Sequence, residues 1–245
     1  MYQQLTLPNG TRILTQEVPG ARSAALGFFV GAGSRHEDAG HNGAAHFIEH
    51  MLFKGTDRRS AVQLARDMDA IGGQVNAYTT KEHTCFYARS LDRHLDQALD
   101  ILSDMLFHSR FAQKDVEMER SVILEEIGMY EDAPDDLVSE RLAAAVYKGS
   151  PLARPILGTQ STLAPMTGAW LDQWRREHYR PGVLVAALAG SFTDSQVDKL
   201  KDCLSALEPG VAPVQKPAAY RPAVTARKKA IEQNHLILAF PSPTY

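Results

Sequence analysis

The sequence predicts an α+β fold, a mainly antiparallel β-sheet packed with helices, and three observations lead to it. Short β-prone stretches and longer amphipathic segments are intermingled along the chain rather than strictly alternating. Neighbouring β-prone stretches are joined by tight connections, which favours antiparallel pairing. Hydrophobic residues make up 44% of the 245 positions and charged ones 22%, so there is enough apolar side chain for a sizeable core.

Taken in order, Leu5 to Val18 reads as a hairpin, because "TLPNGTRILT" sets Asn9-Gly10, a preferred two-residue turn, between alternating segments. Ala24 to Val30 is a more buried strand that runs into "GAGSRHED". That glycine cluster lacks the GxGxxG spacing and the following helix start of a nucleotide loop, and reads as a tight turn. Ala44 to Lys54 is helical in pattern. Ser60, with Gln63 three residues on, caps a further helix that Gly72-Gly73 stops. Gln74 to Thr79 and His83 to Arg89 are two short β-prone stretches.

Leu91 to His108 and Lys114 to Glu131 carry apolar residues at three- and four-residue steps and are long helices. Pro134-Asp135 interrupts, and Asp135 or Asp136 starts a helix to about Tyr147. Beyond the loop "KGSPLARPILGT" come a helix through Trp170 and Trp174 to Tyr179, a strand from Val183 to Ala189, and a helix from Asp194 to Leu207. Residues 1–207 are expected to form one domain. Pro209, Pro213, Pro217 and Pro222 mark 208–224 as an extended linker. Residues 225–245, "TARKKAIEQNHLILAFPSPTY", read as a strand that either pairs back onto the main sheet or, as the favoured expectation, is the first strand of a second unit in a longer chain.

Composition excludes several classes. A net charge of −3 gives no electrostatic case for nucleic acid. No apolar run approaches membrane-spanning length. The opening residues match neither a secretory signal nor an organelle transit peptide, so a cytoplasmic location is expected. Cys85 and Cys203 lie far apart in sequence, form no metal-type pair, and read as unpaired thiols.

The chemistry is concentrated in "NGAAHFIEHMLFKGT", residues 42–56. On a helix His46 and His50, four apart, project from one face, and two imidazoles at that spacing can hold one zinc ion. Glu49 lies on the same face, where a carboxylate can act as a base toward a metal-activated water. Phe47, Ile48, Met51, Leu52 and Phe53 make most other sides apolar, so the polar trio is expected to be partly buried and in need of partners. Two core histidines bonded to backbone, with a chance glutamate, are the competing explanation of these five residues alone.

A catalytic zinc needs a third protein ligand and an open position. "EMERSVILEEIGMY" offers Glu119, Glu125 and Glu126. Glu119 and Glu126 are seven apart on one helical face, and Glu126 flanks the apolar stripe beside Val122 and Ile123. Glu125 aligns with Ser121 and Met129 on a more polar face. Glu126 is therefore the better ligand candidate and Glu119 a supporting or catalytic carboxylate, against the reading that all three are surface acids.

"GAAHFIEHMLFKGT", followed by "NAYTTKEHTCFYA" and "ERSVILEEI", resembles the inverted-motif (HxxEH) zinc metallopeptidases of the pitrilysin and insulysin type, closest in look to bacterial peptidases similar to the processing-peptidase β-subunit. The resemblance runs from the first hairpin to the linker. It implies a half-clamshell domain, zinc held by His46, His50 and Glu126, Glu49 as general base to a zinc-bound water, and Glu119 as a supporting catalytic carboxylate. It implies an endopeptidase acting on extended peptides or unstructured segments, with the strand at Asn76, Ala77 and Tyr78 pairing with the substrate backbone, as an exposed strand edge can. The loop "SPLARPILG" matches the family's histidine-proline version only in part. The resemblance also implies a second homologous domain or partner subunit that closes the chamber, without which this chain is expected to be poorly active. Two rivals keep the same residues: a non-catalytic scaffold or partner subunit of a peptidase complex, and a metal-dependent hydrolase of other substrates.

Overall fold

A computed structural model describes residues 2–210 and 217–242. Residues 211–216 of the expected linker and 243–245 of the expected final strand lie outside the described residues. Six strands form one sheet: β1 (Gln3–Thr6), β2 (Arg12–Glu17), β3 (Ser23–Val30), β4 (Gln74–Thr79), β5 (Thr84–Leu91) and β6 (Leu184–Gly190). The helices are α1 (Ala44–Leu52), α2 (Ala61–Ala70), α3 (Leu95–His108), α4 (Gln113–Asp132), α5 (Pro134–Val146), α6 (Gln160–Leu163), α7 (Gly168–His178) and α8 (Asp194–Ser205). The strand order is β1-β2-β6-β3-β5-β4.

Every pairing is antiparallel except β2 with β6, which is parallel. Tight connections account for the antiparallel neighbours β1–β2 and β4–β5. β6 reaches β2 only after α1 to α7, and a long crossover of that kind permits parallel entry. The α+β expectation of a mainly antiparallel sheet holds.

The first hairpin departs from the two-residue turn at Asn9-Gly10. Gly10 N donates to Leu7 O at 2.9 Å and Leu7 N to Thr11 O at 2.8 Å, with Gly10 at φ 94°. Pro8 prefers the φ of a type I turn's second position, so the turn shifts back by one residue and Gly10 takes the left-handed bulge position. Asn9 is freed to donate from Nδ2 to the carbonyls of Leu204 (2.8 Å) and Leu207 (3.1 Å) at the end of α8.

Period-two burial in the strands decides which face meets the helices. Ala24, Leu26, Phe28 and Val30 of β3 are buried, with Phe86 and Ala88 of β5. Phe47, Ile48, Met51 and Leu52 of α1 are fully buried, so α1 runs through the core and keeps only a narrow polar face. The sheet's other face is shallow and open, with a cavity of about 600 Å³ bordered by Thr15, Phe29, Tyr78, Tyr87 and Arg89.

An ion-pair cluster fixes the turn between α1 and α2 onto α3. The buried Asp104 accepts from Thr56 Oγ1 at 2.7 Å, Arg58 Nε at 3.1 Å and Arg59 Nη1 at 2.5 Å, and Arg59 also pairs with Asp100 and Asp67. Against the opposing effect of burial, the hydrogen bonds from Thr56, Arg59 and Arg58 hold the Asp104 carboxyl below its ordinary range. Replacing Asp104 with Ala removes the acceptor of a buried hydroxyl and one of the carboxylate partners of each arginine, and is expected to cost about 3 kcal/mol. The shift in the urea midpoint checks it, and an unchanged midpoint would mark the cluster as decorative.

Residues 217–242 form no helix or strand among those described. The segment runs beside α4 and α5, where Lys229 Nζ lies 3.0 Å from Asp132 and Arg141 Nη2 donates to Thr225 at 3.0 Å. A β-prone sequence needs a neighbouring strand to take its N–H and C=O groups, and none is presented here; Leu236, Leu238 and Phe240 stay exposed.

Candidate metal centre

α1 and α4 meet at the polar face of α1. In α4 the buried Val116, Glu119 and Ile123 form the stripe that packs toward the interior, and Glu126 continues it one turn further at partial exposure. Glu125 is exposed on another side. Glu126 Oε2 lies 3.7 Å from His46 Nε2 and 3.5 Å from His50 Nε2. All three donor atoms lie within 4.8 Å of one another. In a tetrahedral site with bonds of about 2.0–2.1 Å, neighbouring donors stand about 3.3 Å apart, so small side-chain shifts suffice to close this triangle on an ion. Two imidazole nitrogens and a carboxylate oxygen form a donor set suited to zinc.

The surroundings prepare each donor. Glu119 Oε1 stands 2.9 Å from His50 Nδ1, which assigns the ring proton to Nδ1 and leaves Nε2 to face Glu126. Lys54 Nζ lies 2.5 Å from Glu119 Oε2 and neutralises that buried carboxylate. Burial, with His50 beside it, pushes the His46 imidazole down to about 3, so it is neutral and free to offer a lone pair. Its Nδ1 is buried and has no hydrogen-bond partner among the described residues. Burial raises the Glu126 carboxyl, the nearby Glu119 charge adds to that, and His50 opposes it.

Glu49 accepts from Thr79 Oγ1 at 2.6 Å. Burial raises its carboxyl and the charge of Glu126 adds to this, while Thr79 and His50 pull it back. A half-buried, raised carboxylate beside a potential metal position has the properties of a base.

The strand β4, at the sheet edge, splits its residues by parity. Ala77 and Thr79 face the helices; Tyr78 lies on the opposite sheet face near Cys85 and Tyr87, and the side chain of exposed Asn76 accepts from Ala77 N at 2.8 Å. Of Asn76, Ala77 and Tyr78, the structure brings only Ala77 onto the metal side. Two supporting residues were not singled out from sequence: Thr79 and Lys54. Thr79 shares the parity of Ala77, and Lys54 follows His50 by four, so both carried a signal.

The sequence pattern of the insulinase family (peptidase family M16) matches residues 12–160. The chain is 46% identical over 242 residues to YmxG, an uncharacterized zinc protease of Bacillus subtilis (strain 168), covering 98% of this chain and 59% of that protein. It is 41% identical to an uncharacterized zinc protease of Mycobacterium leprae (strain TN), covering 97% and 55%. Among solved structures, the first half of the periplasmic protease PqqL from Escherichia coli superposes with a TM-score of 0.79 at 26% identity, over 90% of this chain and 49% of that one. A peptidase M16 inactive domain from Pseudomonas fluorescens shares the fold at TM-score 0.79 and 22% identity, over 88% and 53%. The chain thus spans little more than half the length of the relatives it matches. With a matched pattern that runs across the HxxEH helix and Glu126, the chain belongs to the insulinase family of peptidases, M16.

Proposed function

We propose that this chain is the zinc-binding part of an endopeptidase that cuts extended peptides or unstructured segments. The observation that carries the reading is the convergence of His46, His50 and Glu126, from two separate helices, next to a half-buried Glu49. When bound, zinc supplies Lewis acidity for the scissile carbonyl and for the attacking water. His46, His50 and Glu126 would hold it. Glu119, braced by Lys54, keeps the His50 ring in the tautomer that leaves Nε2 free. Glu49, held by the Thr79 hydroxyl, takes a proton from the water as the C–O bond forms and returns it to the leaving nitrogen as the C–N bond breaks.

The edge position of β4 leaves one row of its backbone groups for a peptide strand. Asn76, Ala77 and Tyr78 would bind substrate through their main chain, with the side chain of Ala77 alone beside the catalytic groups. Main-chain recognition tolerates varied side chains but demands an extended substrate. The second homologous domain, or a partner subunit, would close the chamber, with residues from 225 onward belonging to that second unit across the 208–224 linker. A non-catalytic scaffold role is the alternative, and the inactive M16 domain of Pseudomonas fluorescens that shares the fold is what favours it.

The test uses the full-length polypeptide that carries these residues. Unstructured peptides are expected to be cleaved, a chelator to stop cleavage, and stoichiometric zinc to restore it, while a stably folded domain is spared. Cleavage indifferent to the chelator overturns the metal reading. Stoichiometric zinc with no cleavage of any peptide overturns the endopeptidase in favour of the scaffold.

A further inference from the structure

The first turn of α1 is capped from outside the helix. Its N-cap, Gly43, has φ 101° and no side chain to cap with. A Cβ at that position would stand 2.6 Å from Leu157 O, so the usual Ser, Thr, Asp or Asn is sterically barred as well as conformationally strained. The first amides of a helix have no partner within it and must find one elsewhere. Glu37 provides it. Its Oε2 accepts from Gly43 N at 2.8 Å and from Asn42 Nδ2 at 2.7 Å, and its Oε1 accepts from Ala45 N at 2.8 Å.

Three donors and no acceptor surround this carboxylate, an arrangement suited to the anion, which also interacts favourably with the helix N-terminus. Glu37 is buried, and burial pushes its carboxyl up to about 7 even with those bonds. A buried carboxylate is a costly way to obtain stability alone. It does give fixed geometry: Ala45 adjoins His46, and α1 has only nine residues, so the anchor of its first turn sets the height and rotation of both histidines. Asn42 extends the brace by donating to Pro155 O at 2.9 Å, while Thr162 Oγ1 donates to Asn42 O at 2.7 Å.

We propose that Glu37 is a positioning residue for the metal centre, an external carboxylate cap that holds α1 so that His46 and His50 meet Glu126 at ligand spacing. The proposal rests on the metal reading of that triad. The full-length protein is titrated with cobalt(II), whose visible absorption band reports coordination geometry, for wild type, Glu37→Gln, Glu37→Asp, His46→Ala and Asp104→Ala. In Glu37→Gln one of the two oxygens becomes an NH2 group, which must face the N–H of either Gly43 or Ala45. Its cobalt affinity is expected to fall roughly tenfold or more with an altered band, on the scale of losing an outer support of a metal ligand. Glu37→Asp keeps the charge with a shorter reach and falls between. Asp104→Ala, destabilised away from the site, binds with the wild-type affinity and band. Wild-type affinity and band in Glu37→Gln overturn the proposal, and where that variant does not fold, the same result in Glu37→Asp does so. Wild-type cobalt binding by His46→Ala would instead overturn the metal reading itself.

Discussion

Glu49→Gln in the full-length protein is expected to lower peptide turnover roughly a thousandfold while leaving zinc content unchanged. The substitution keeps size and shape, and the new carbonyl oxygen still accepts the Thr79 hydroxyl that now stands 2.6 Å from Oε2. What disappears is the capacity to take a proton. Burial raises the Glu49 carboxyl, so it is a stronger base than an exposed glutamate, and its loss falls on the step in which water is activated. Glu49 is not one of the three converging donors, so metal content separates this effect from loss of the ion. Turnover equal to wild type would remove Glu49 from the mechanism, and a parallel loss of zinc would reassign it as a ligand.

How much of this was legible in sequence depends on the range of the interaction concerned. His46, Glu49 and His50 sit within one helical stretch, where the periodicity alone sets their common face. Glu126 was set apart from Glu125 by its place beside Val122 and Ile123; Ile123, buried with Val116, does mark the inward side of α4, whereas Val122 is exposed. The capping of α2 by Ser60, accepting from Gln63 N at 3.2 Å, is equally local. The misses involve partners distant in the chain or a competition between turn signals. The parallel match of β2 with β6 joins residues separated by most of the domain, which no local pattern encodes. Pro8 outweighed Asn9-Gly10 in setting the hairpin. Glu37 acts on α1 from a preceding loop, and its role exists only because the backbone at Gly43 is pressed against Leu157.

Glu126→Gln carries the other large effect, because Glu126 is the only one of the three donors that α1 does not supply. Without it only the two imidazoles of α1 remain, and an imidazole ligand brings no negative charge to balance the ion. A glutamine carbonyl is a neutral, weaker ligand for a dication. Zinc affinity is expected to fall by more than the roughly 10- to 100-fold that accompanies loss of an outer contact. The same event has a stability readout. An ion that binds only the folded chain at about a thousand times its dissociation constant adds about 4 kcal/mol. Zinc should therefore raise the thermal midpoint of wild type and leave that of Glu126→Gln nearly unmoved. Glu125→Gln is the matched control, one residue away yet exposed on another side of α4. If Glu125→Gln loses the zinc-dependent rise and Glu126→Gln keeps it, the helix face is misassigned; if both keep it, α4 contributes no ligand.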